Sequence, residues 1–271
     1  MSTRPSISVS VITFNEEDNL RACLDSVTWA DDIVVVDSFS TDATLDIARE
    51  FTDRIHQRAW NGINEQRQFA LEQCRGDWVL CLDADERVTP ELRDEILAVF
   101  DRGNPDCNGF LIPRRAYYLG QWIRHCGWYP DRKLRLFRRA SARFGDNDPH
   151  DKVVLDGAVK TLGGDLLHYT YRDLTHNLRT INTFSSVAAE RCARQGRDTG
   201  VLDLIVRPPW RFIKQYILRL GFLDGLPGLI ICAMSAFSAF AREAKIWELT
   251  EAAAPATSSE EGPDHEHRAD G

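Results

Sequence analysis

Residues 77–86 read DWVLCLDADE, an apolar run that leads directly into three acids, Asp83, Asp85 and Glu86. A continuous run such as WVLCL is typical of a strand that is buried on both faces. Carboxylates this close together repel one another and raise each other's pKa. The stretch therefore predicts a buried strand whose carboxyl end carries acids that need either a bound cation or open solvent.

The hundred residues around this stretch alternate between the periods of strands and helices. Further strands are predicted at 7–13, 31–38 and 53–57. Helical spacing follows each strand, at 15–27, 40–51, 64–74 and 89–100. Asn15 is a candidate helix cap, and Pro90 suits a first helical turn. Four strand–helix repeats predict the α/β class, with right-handed crossovers and a mostly parallel sheet.

Polar side chains follow three of these strands, and the carboxyl ends of parallel strands are where such sheets bind ligands. They are Thr13, Asn15 and Glu16, then Asp37, then Asp83 and Asp85. Caps and solvated turns would explain Asn15 and Ser40, but three acids at one edge accumulate unfavourable charge. Asp83 and Asp85 are two apart on an extended segment and can face one ion. Mg²⁺ and Mn²⁺ accept carboxylates together with water and phosphate oxygens.

Composition and motifs exclude several classes. The chain has 271 residues, is 43% hydrophobic and has a net charge of −8, which is ordinary for a globular protein and argues against a nucleic-acid binder. Neither GxxxxGK[ST] nor GxGxxG occurs near the predicted strands, so a P-loop or dinucleotide fold is unsupported. The last 21 residues contain six acids and one arginine without apolar periodicity, and this tail is predicted to be disordered.

The seven cysteines are scattered, without a CxxC pair or metal-ligand spacing. This pattern is typical of a reducing compartment, so we expect the cytosol. Cys23, Cys74 and Cys81 lie in apolar periodic segments and are predicted to be small core residues. The N-terminal MSTRPS runs straight into ISVSVITF, which is better interpreted as a strand than as a signal peptide.

The C-terminal third contains two apolar segments. Residues 207–220 mix Arg211, Lys214 and Arg219 with aromatic and aliphatic side chains, as in a helix that lies in a membrane interface. Residues 226–241 form an apolar run of 16 residues, short of the ~20 needed to cross a bilayer. A membrane-lying helix or a buried hairpin is therefore favoured over a span.

Three motifs in order, SVITFNEEDNLRACLDSV, IVVVDSFSTDAT and GDWVLCLDADERV, resemble the family 2 glycosyltransferases with the GT-A fold. The resemblance implies that Asp83-Ala84-Asp85 is the family's DxD motif, which holds Mg²⁺ or Mn²⁺ against the diphosphate of a nucleotide sugar. It implies contacts to the nucleotide from Thr13, Asn15, Glu16 and Asp37. Arg67 matches a basic residue near the nucleotide, although Gln68 follows where the family commonly has Asn.

WNGINEQRQFALEQ, LRLFRR and HYTYRDL resemble, more narrowly, the bacterial lipopolysaccharide core glucosyltransferases. This implies an inverting enzyme that moves glucose from UDP-glucose to an inner-core heptose on a lipid-anchored acceptor. It would be cytoplasmic and peripherally attached to the inner membrane. A transferase for capsule or other envelope glycans, a polyprenyl-phosphate glycosyltransferase and a non-catalytic nucleotide-sugar binder remain alternatives.

Inversion requires a base, which the resemblance places in FGDNDPHDKVVLDG, residues 144–157. Asp151 takes the position of the family's base, with Asp148 or Asp146 as alternatives and an acidic surface loop as the simpler interpretation. In some GT-A enzymes a late histidine completes the metal shell, and His168 is the candidate. A lone histidine more often makes a local hydrogen bond.

The basic segment Arg132, Lys133, Arg135, Arg138 and Arg139 alternates with apolar residues. Its charged face would meet an anionic acceptor or would mark a solvated edge strand. Sugar stacking and core packing are both open for the tryptophans Trp60, Trp122 and Trp128.

The predicted division of the chain places a catalytic domain at 1–172. Its nucleotide-sugar half would end near residue 100, and its acceptor half would fill 101–172. A helical, membrane-associated region is expected at 173–250, followed by the tail at 251–271.

Overall fold

The sheet is the element that positions the strand ends. In this computed structural model, which describes residues 4–145 and 153–252, the strands are β1 Ile7–Thr13, β2 Asp32–Asp37, β3 Ile55–Gln57, β4 Trp78–Asp83, β5 Glu86–Val88, β6 Gly109–Tyr118, β7 Gln121–Trp122, β8 Asp131–Arg138, β9 Ala142–Phe144, β10 Val153–Leu155, β11 Val159–Thr161 and β12 Leu166–Tyr169. The helices are α1 Leu20–Asp25, α2 Thr44–Arg49, α3 Ile63–Gln73, α4 Pro90–Asp101, α5 Leu174–Arg194, α6 Val201–Ile213 and α7 Gly225–Trp247.

The main sheet has the strand order β3-β2-β1-β4-β8-β6-β12-β5. The first four strands are mutually parallel, as the alternating periods predict. Beyond β4 the sheet is mixed, because β8 runs antiparallel to both β4 and β6, and β5 runs antiparallel to β12. The predicted GT-A architecture, an α/β sheet flanked by helices, is confirmed, and the four mutually parallel strands all lie within the first hundred residues.

Alternating apolar side chains fill the two sides of the parallel strands. Every residue of β1 is buried, and β4 is buried from Trp78 to Leu82. Trp78 packs edge-on against Phe100 of α4, with ring centroids 5.1 Å apart. Cys23, Cys74 and Cys81 are buried in these clusters, which confirms their prediction as core residues.

The beginnings of the helices differ from two predictions. Asn15 is not a helix cap, because α1 starts at Leu20 and Asn15 adopts a left-handed backbone with φ 52°. Asn and Asp tolerate this conformation better than other non-glycine residues do. Ser40 also lies outside the helix that follows it, since α2 begins at Thr44. Pro90 does occupy the first turn of α4, where Thr89 accepts a hydrogen bond from the Leu92 amide.

Strand β8, which carries the basic segment, is not an edge strand. It lies between β4 and β6, and the side chain of Arg135 is only 2% exposed. The solvated-edge interpretation of this segment is therefore wrong, and so is a single charged face. Burial of Arg135 requires acidic partners, which the site supplies.

The last apolar helix is longer than its sequence run indicates. Helix α7 has 23 residues, about 34 Å at 1.5 Å per residue. The segment Gly221–Glu251 is long and apolar enough to cross a membrane by length and composition, and 22% of its most apolar window is buried. The helix is therefore longer than the apolar run of 16 residues, and whether it spans, lies on or avoids a membrane stays a prediction. The helix continues past the apolar run because Glu243 is fully buried against Arg197, Arg207 and Arg242.

Helix α7 packs against α5 and α6 and is attached to the sheet region at its start. Ile231 and Cys232 pack with Tyr118, Ile123 and Cys126 in a third apolar cluster. Asp224, which is buried, accepts a hydrogen bond from the His125 amide at 2.8 Å and contacts His125 Nδ1 at 2.9 Å. These contacts tie the C-terminal helices to the loop after β7. The acidic tail lies outside the described residues from position 253 onward.

Candidate active site

A cleft of about 270 Å³ opens at the carboxyl ends of β1 and β4. Parallel register places Thr13 opposite Asp37 and Ile12 opposite Asp83, so the ends of three strands meet there. The lining comprises Ile12, Thr13, Phe14, Glu16, Trp60, Ile63, Asp83, Ala84, Asp85 and His168. A larger depression of about 420 Å³ lies against β3 and contains none of the predicted site residues.

Asp85 and His168 face each other in this cleft. The distance from His168 Nε2 to Asp85 Oδ2 is 3.2 Å. Adjacent ligands of an octahedral ion with bonds of about 2.1 Å lie about 3.0 Å apart, so this spacing fits two neighbouring ligands of one Mg²⁺ or Mn²⁺ ion. Within the described ranges, no group of three or more His, Cys, Asp or Glu side chains is arranged to hold a metal. Asp85 and His168 as metal ligands therefore stay a prediction, in which substrate phosphates and water would complete the shell.

Asp83, the other acid of the DxD motif, is held by two buried arginines. Its Oδ1 accepts from Arg67 at 2.5 Å and its Oδ2 from Arg135 at 2.7 Å. A carboxylate has about four lone-pair positions, so these contacts leave room for another ligand. Arg67 is 1% exposed and lies beneath Asp83, away from the cleft lining. Asp83 as a metal ligand stays a prediction.

Glu86, the third acid of the stretch, is completely buried. Arg135 contacts Glu86 Oε1 at 2.7 Å, and Arg114 contacts the same oxygen at 3.2 Å. Glu86 Oε2 accepts a hydrogen bond from the Asp83 amide, which fixes the turn that carries Asp85. Arginines from α3, β8 and β6 therefore balance Asp83 and Glu86. Asp83 and Asp85 both line the cleft, and Asp85 is paired there with His168.

The pKa values of these acids follow from their partners. Burial alone would raise the pKa of Asp83, but Arg67 and Arg135 outweigh it and hold that pKa far below its usual range. Burial likewise opposes ionisation of Glu86, yet Arg135 and Arg114 lower its pKa. Both carboxylates are thus charged near neutral pH despite their burial.

The loop after β1 is cross-linked to the loop after β2. Asn15 Oδ1 accepts from the Thr41 amide at 2.8 Å, and the Asn15 amide donates to Ser40 Oγ at 2.8 Å. Arg172 donates to the Asn15 carbonyl oxygen at 2.9 Å and lies 3.7 Å from Glu16. These contacts give Asn15 a positioning role in the loop that lines the cleft.

Two further predicted residues differ in their access to the cleft. Burial raises the pKa of Glu16, which lines the cleft near Asp85. Asp37 is fully buried, and its carboxylate accepts hydrogen bonds from the Ser40 amide, the Ser40 hydroxyl and Gln57 Nε2. Asp37 is not part of the cleft lining, so its prediction as a nucleoside contact requires that a ligand reach beyond that lining.

The three tryptophans differ in whether they are available to stack on a sugar or are used in packing. Trp60 is 55% exposed and lines the cleft, which leaves it available to a ligand. Trp128 packs edge-on against Tyr118 in the cluster below α7 and is a packing residue. Trp122 is half-buried and contacts Tyr117 and Tyr169.

Some predicted site residues lie outside the described part of the chain, and some residues at the site were not predicted. Asp151, Asp148 and Asp146 lie outside the described residues, so the base stays a prediction. The roles of Arg114 and Arg135 in balancing the acids, and of Arg172 in holding the loop, were not predicted. The spacing of LRLFRR does carry a signal for Arg135, since an arginine between apolar neighbours on a strand must be paired if the strand is central.

Comparisons with known proteins identify the family of the chain. The profile of the family described as "Glycosyl transferase family 2" matches residues 8–163. A "Lipopolysaccharide core biosynthesis glycosyltransferase LpsC" from Rhizobium meliloti is 32% identical over 257 residues, covering 89% of this chain and 92% of that protein. An "Uncharacterized glycosyltransferase" from Rickettsia typhi is 31% identical, covering 90% and 87%. The crystal structure of S. aureus TarS is similar with a TM-score of 0.47 and 17% identity, covering 91% and 90%.

Proposed function

This chain belongs to glycosyl transferase family 2 and is a glycosyltransferase, and from that premise we propose that it transfers a hexose from a nucleotide sugar to a lipid-anchored glycan. The donor we propose is UDP-glucose and the acceptor an inner-core heptose of lipopolysaccharide, with inversion at the sugar. The observation that carries the proposal is the pairing of Asp85 and His168 across the cleft at the strand ends.

On the donor side, Asp85 and His168 would hold a divalent cation, which supplies charge stabilisation at the diphosphate leaving group. Glu16 and Thr13 line the same cleft and would contact the nucleotide. Arg67, Arg135 and Glu86 act from beneath, because they fix the turn between β4 and β5 on which Asp85 lies. Asn15 and Asp37 act through the two loops that they hold together.

On the acceptor side, a base must take the proton of the attacking hydroxyl. We propose Asp151 for this role on the resemblance of its segment. An Asp151→Asn variant should lose transfer while it still binds the donor. Turnover at the wild-type rate in this variant would remove Asp151 from the role and direct the search to Asp148 and Asp146.

The proposed acceptor is supported by the similarity to the lipopolysaccharide core biosynthesis glycosyltransferase of Rhizobium meliloti. A polyprenyl-phosphate acceptor is the second candidate, because the segment Gly221–Glu251 is long and apolar enough to enter a membrane. The two differ in product, since only the second yields a lipid-linked sugar without a glycan acceptor. We also propose the division into a catalytic part, 1–172, and a helical part, 173–250.

We propose that the helical part attaches the enzyme to the cytoplasmic face of the inner membrane. On α6 and the turn after it, Val201, Leu202, Ile205, Val206, Trp210, Ile213, Ile217 and Leu218 are 44–75% exposed. Arg211 and Lys214 are exposed beside them. Contiguous apolar surface of this size, bordered by cations, favours an interface with anionic lipid.

Flotation with vesicles of anionic lipid tests this attachment. The double variant Ile213→Glu/Ile217→Glu should stay with the soluble fraction, because it places two charges in the surface that would enter the bilayer. Val159→Glu, which changes an exposed apolar residue of β11, is the control and should float with the vesicles. Flotation of the double variant at the wild-type level would contradict the attachment.

Transfer of labelled glucose from UDP-glucose tests the proposed reaction. Heptose-terminated lipopolysaccharide core and undecaprenyl phosphate are offered in parallel, with Mn²⁺ and with EDTA. Label in the core fraction that requires the metal supports the proposal, and label in the phospholipid fraction favours the second candidate. Label in neither fraction, with a folded and donor-binding enzyme, would contradict both acceptors.

A further inference from the structure

Three half-buried aromatic rings form a cluster at the far end of the sheet, on β6, β7 and β12. The ring centroids are 5.0 Å apart for Tyr117 and Trp122, 5.3 Å for Tyr117 and Tyr169, and 5.5 Å for Trp122 and Tyr169. The rings therefore touch one another pairwise. Tyr and Trp combine a broad apolar surface with a polar N–H or O–H group, which suits contact with the apolar face and the hydroxyls of a sugar.

Strand register places this cluster next to the cleft but on the other face of the sheet. His168 pairs with Glu86, whereas Tyr169 pairs with Tyr117, and Tyr117 pairs with Trp122. Successive side chains of a strand point to opposite faces, so Tyr169 points away from His168. The Tyr169 amide also donates to the Asp85 carbonyl oxygen at 3.0 Å, which ties the cluster to the turn of the candidate site.

A cation accompanies the rings. Arg87 of β5 is half-buried, and its guanidinium carbon lies 3.8 Å from the centroid of the Tyr169 ring. Its buried Nε group has no hydrogen-bond partner within residues 4–145 and 153–252. A buried donor without an acceptor is costly, and a guanidinium that stacks on an aromatic ring can still bind an oxyanion edge-on.

We propose that Tyr117, Trp122, Tyr169 and Arg87 form an acceptor subsite for a sugar that carries a phosphate group. This inference rests on the proposed function, because it concerns the acceptor of that reaction. Because the cluster and His168 point to opposite faces, one sugar ring cannot contact both. The subsite would therefore bind a sugar at least one unit away from the hydroxyl that receives the hexose, and would select extended, anionic acceptors over short, neutral ones.

Calorimetry with a core oligosaccharide released from lipopolysaccharide tests the subsite without turnover. The oligosaccharide is used with its phosphates and after their removal. Trp122→Ala should weaken binding of both forms about tenfold, because the stacking surface is lost. Arg87→Gln should weaken binding of the phosphorylated form about tenfold and leave the dephosphorylated form unchanged. Trp122→Phe, which keeps an aromatic ring, should retain most of the affinity.

Trp247→Ala is the matched control, since Trp247 is 46% exposed on α7 and takes no part in the cluster. UDP-glucose binding is measured for every variant and should be unchanged, which separates this proposal from the proposed donor. If the wild type does not bind UDP-glucose, the proposed donor is wrong. This result would not bear on the subsite. The subsite is overturned if the wild type does not bind the oligosaccharide, or if Trp122→Ala and Arg87→Gln bind it as tightly as Trp247→Ala does.

Discussion

The two sides of the turn between β4 and β5 carry the same kind of residue in opposite environments. On the closed side, Asp83 and Glu86 are paired with Arg67, Arg135 and Arg114, although Asp83 also lines the cleft. On the open side, Asp85 lines the cleft and contacts His168. Acids adjacent in sequence thus differ in role according to the strands beside them: Asp83 and Glu86 hold the turn through arginines, whereas Asp85 is paired with a histidine at the cleft.

Replacement of Arg135, which contacts both Asp83 and Glu86, should have the largest effect on stability. Arg135→Met leaves Asp83 and Glu86 with one partner fewer in a buried place, and breaking a buried ion pair costs about 3–5 kcal/mol. We expect a large fall in Tm or insoluble protein, measured by thermal unfolding. Arg132→Met, at an exposed position of the same strand, is the control and should unfold like the wild type. An unchanged Tm for Arg135→Met would mean that the closed side is not structural.

Replacement of Asp85, the acid on the open side, should lower the activity without lowering the stability. Asp85→Asn keeps the size of the side chain and removes a charge that faces the cleft. Transfer should fall by at least about 100-fold, because stabilisation of a leaving diphosphate contributes several kcal/mol. The Tm should stay near the wild-type value. Asp94→Asn, on the exposed surface of α4, should change neither quantity. Comparable loss of stability in Asp85→Asn would erase the distinction between the two sides.

Low pH should destabilise the folded protein through Asp83 and Glu86, the two acids of the closed side. The pKa values of Asp83 and Glu86 are lowered in the folded protein, so their stabilisation is present above the unfolded-state values of about 4. It is lost as pH falls through the lower, folded-state values. Thermal unfolding between about pH 3 and pH 7 should show a Tm that falls below about pH 4. Asp85→Asn should keep this dependence, and a flat profile in the wild type would contradict it.

The smallest effect is expected at the rim of the open side. Arg172→Gln removes the donor to the Asn15 carbonyl oxygen, and half-exposed contacts of this kind contribute about 1 kcal/mol. The KM for the donor should rise a few-fold with little change in kcat or Tm. Arg179→Gln, at an exposed position of α5, is the control. A larger change in kcat than in KM would indicate that Arg172 acts on the reaction itself.

The sequence predicted which strand ends meet better than it predicted the partners of the closed side. Continuous apolar runs and helical spacing locate β1, β2 and β4, and the strand-end rule then brings Thr13, Asp37 and Asp83 together. The partners of Asp83 were not predicted, because Arg135 is 52 residues away in sequence and reaches it only through the antiparallel pairing of β8 with β4. The periodicity of apolar residues predicts which residues of a strand are buried, but it does not predict which other strand pairs with it.

The C-terminal helix was underestimated for a related reason. Its apolar run ends at charged residues, which usually end a buried helix. Here the fully buried Glu243 is balanced by three arginines, and Lys245 donates to the Asn182 carbonyl oxygen and to Ser185 of α5. Charges that tertiary partners neutralise do not interrupt a helix, and those partners cannot be identified from local sequence.

Calorimetric titration of UDP-glucose tests the central claim most directly, with Mn²⁺ and with EDTA, on the wild type and on Asp85→Asn. We expect tight binding only for the wild type with Mn²⁺, and equally weak binding in the other three combinations. Asp94→Asn should match the wild type in both conditions. Binding that survives EDTA, or that Asp85→Asn retains with Mn²⁺, would contradict the claim that the open side of the turn holds a metal against the donor.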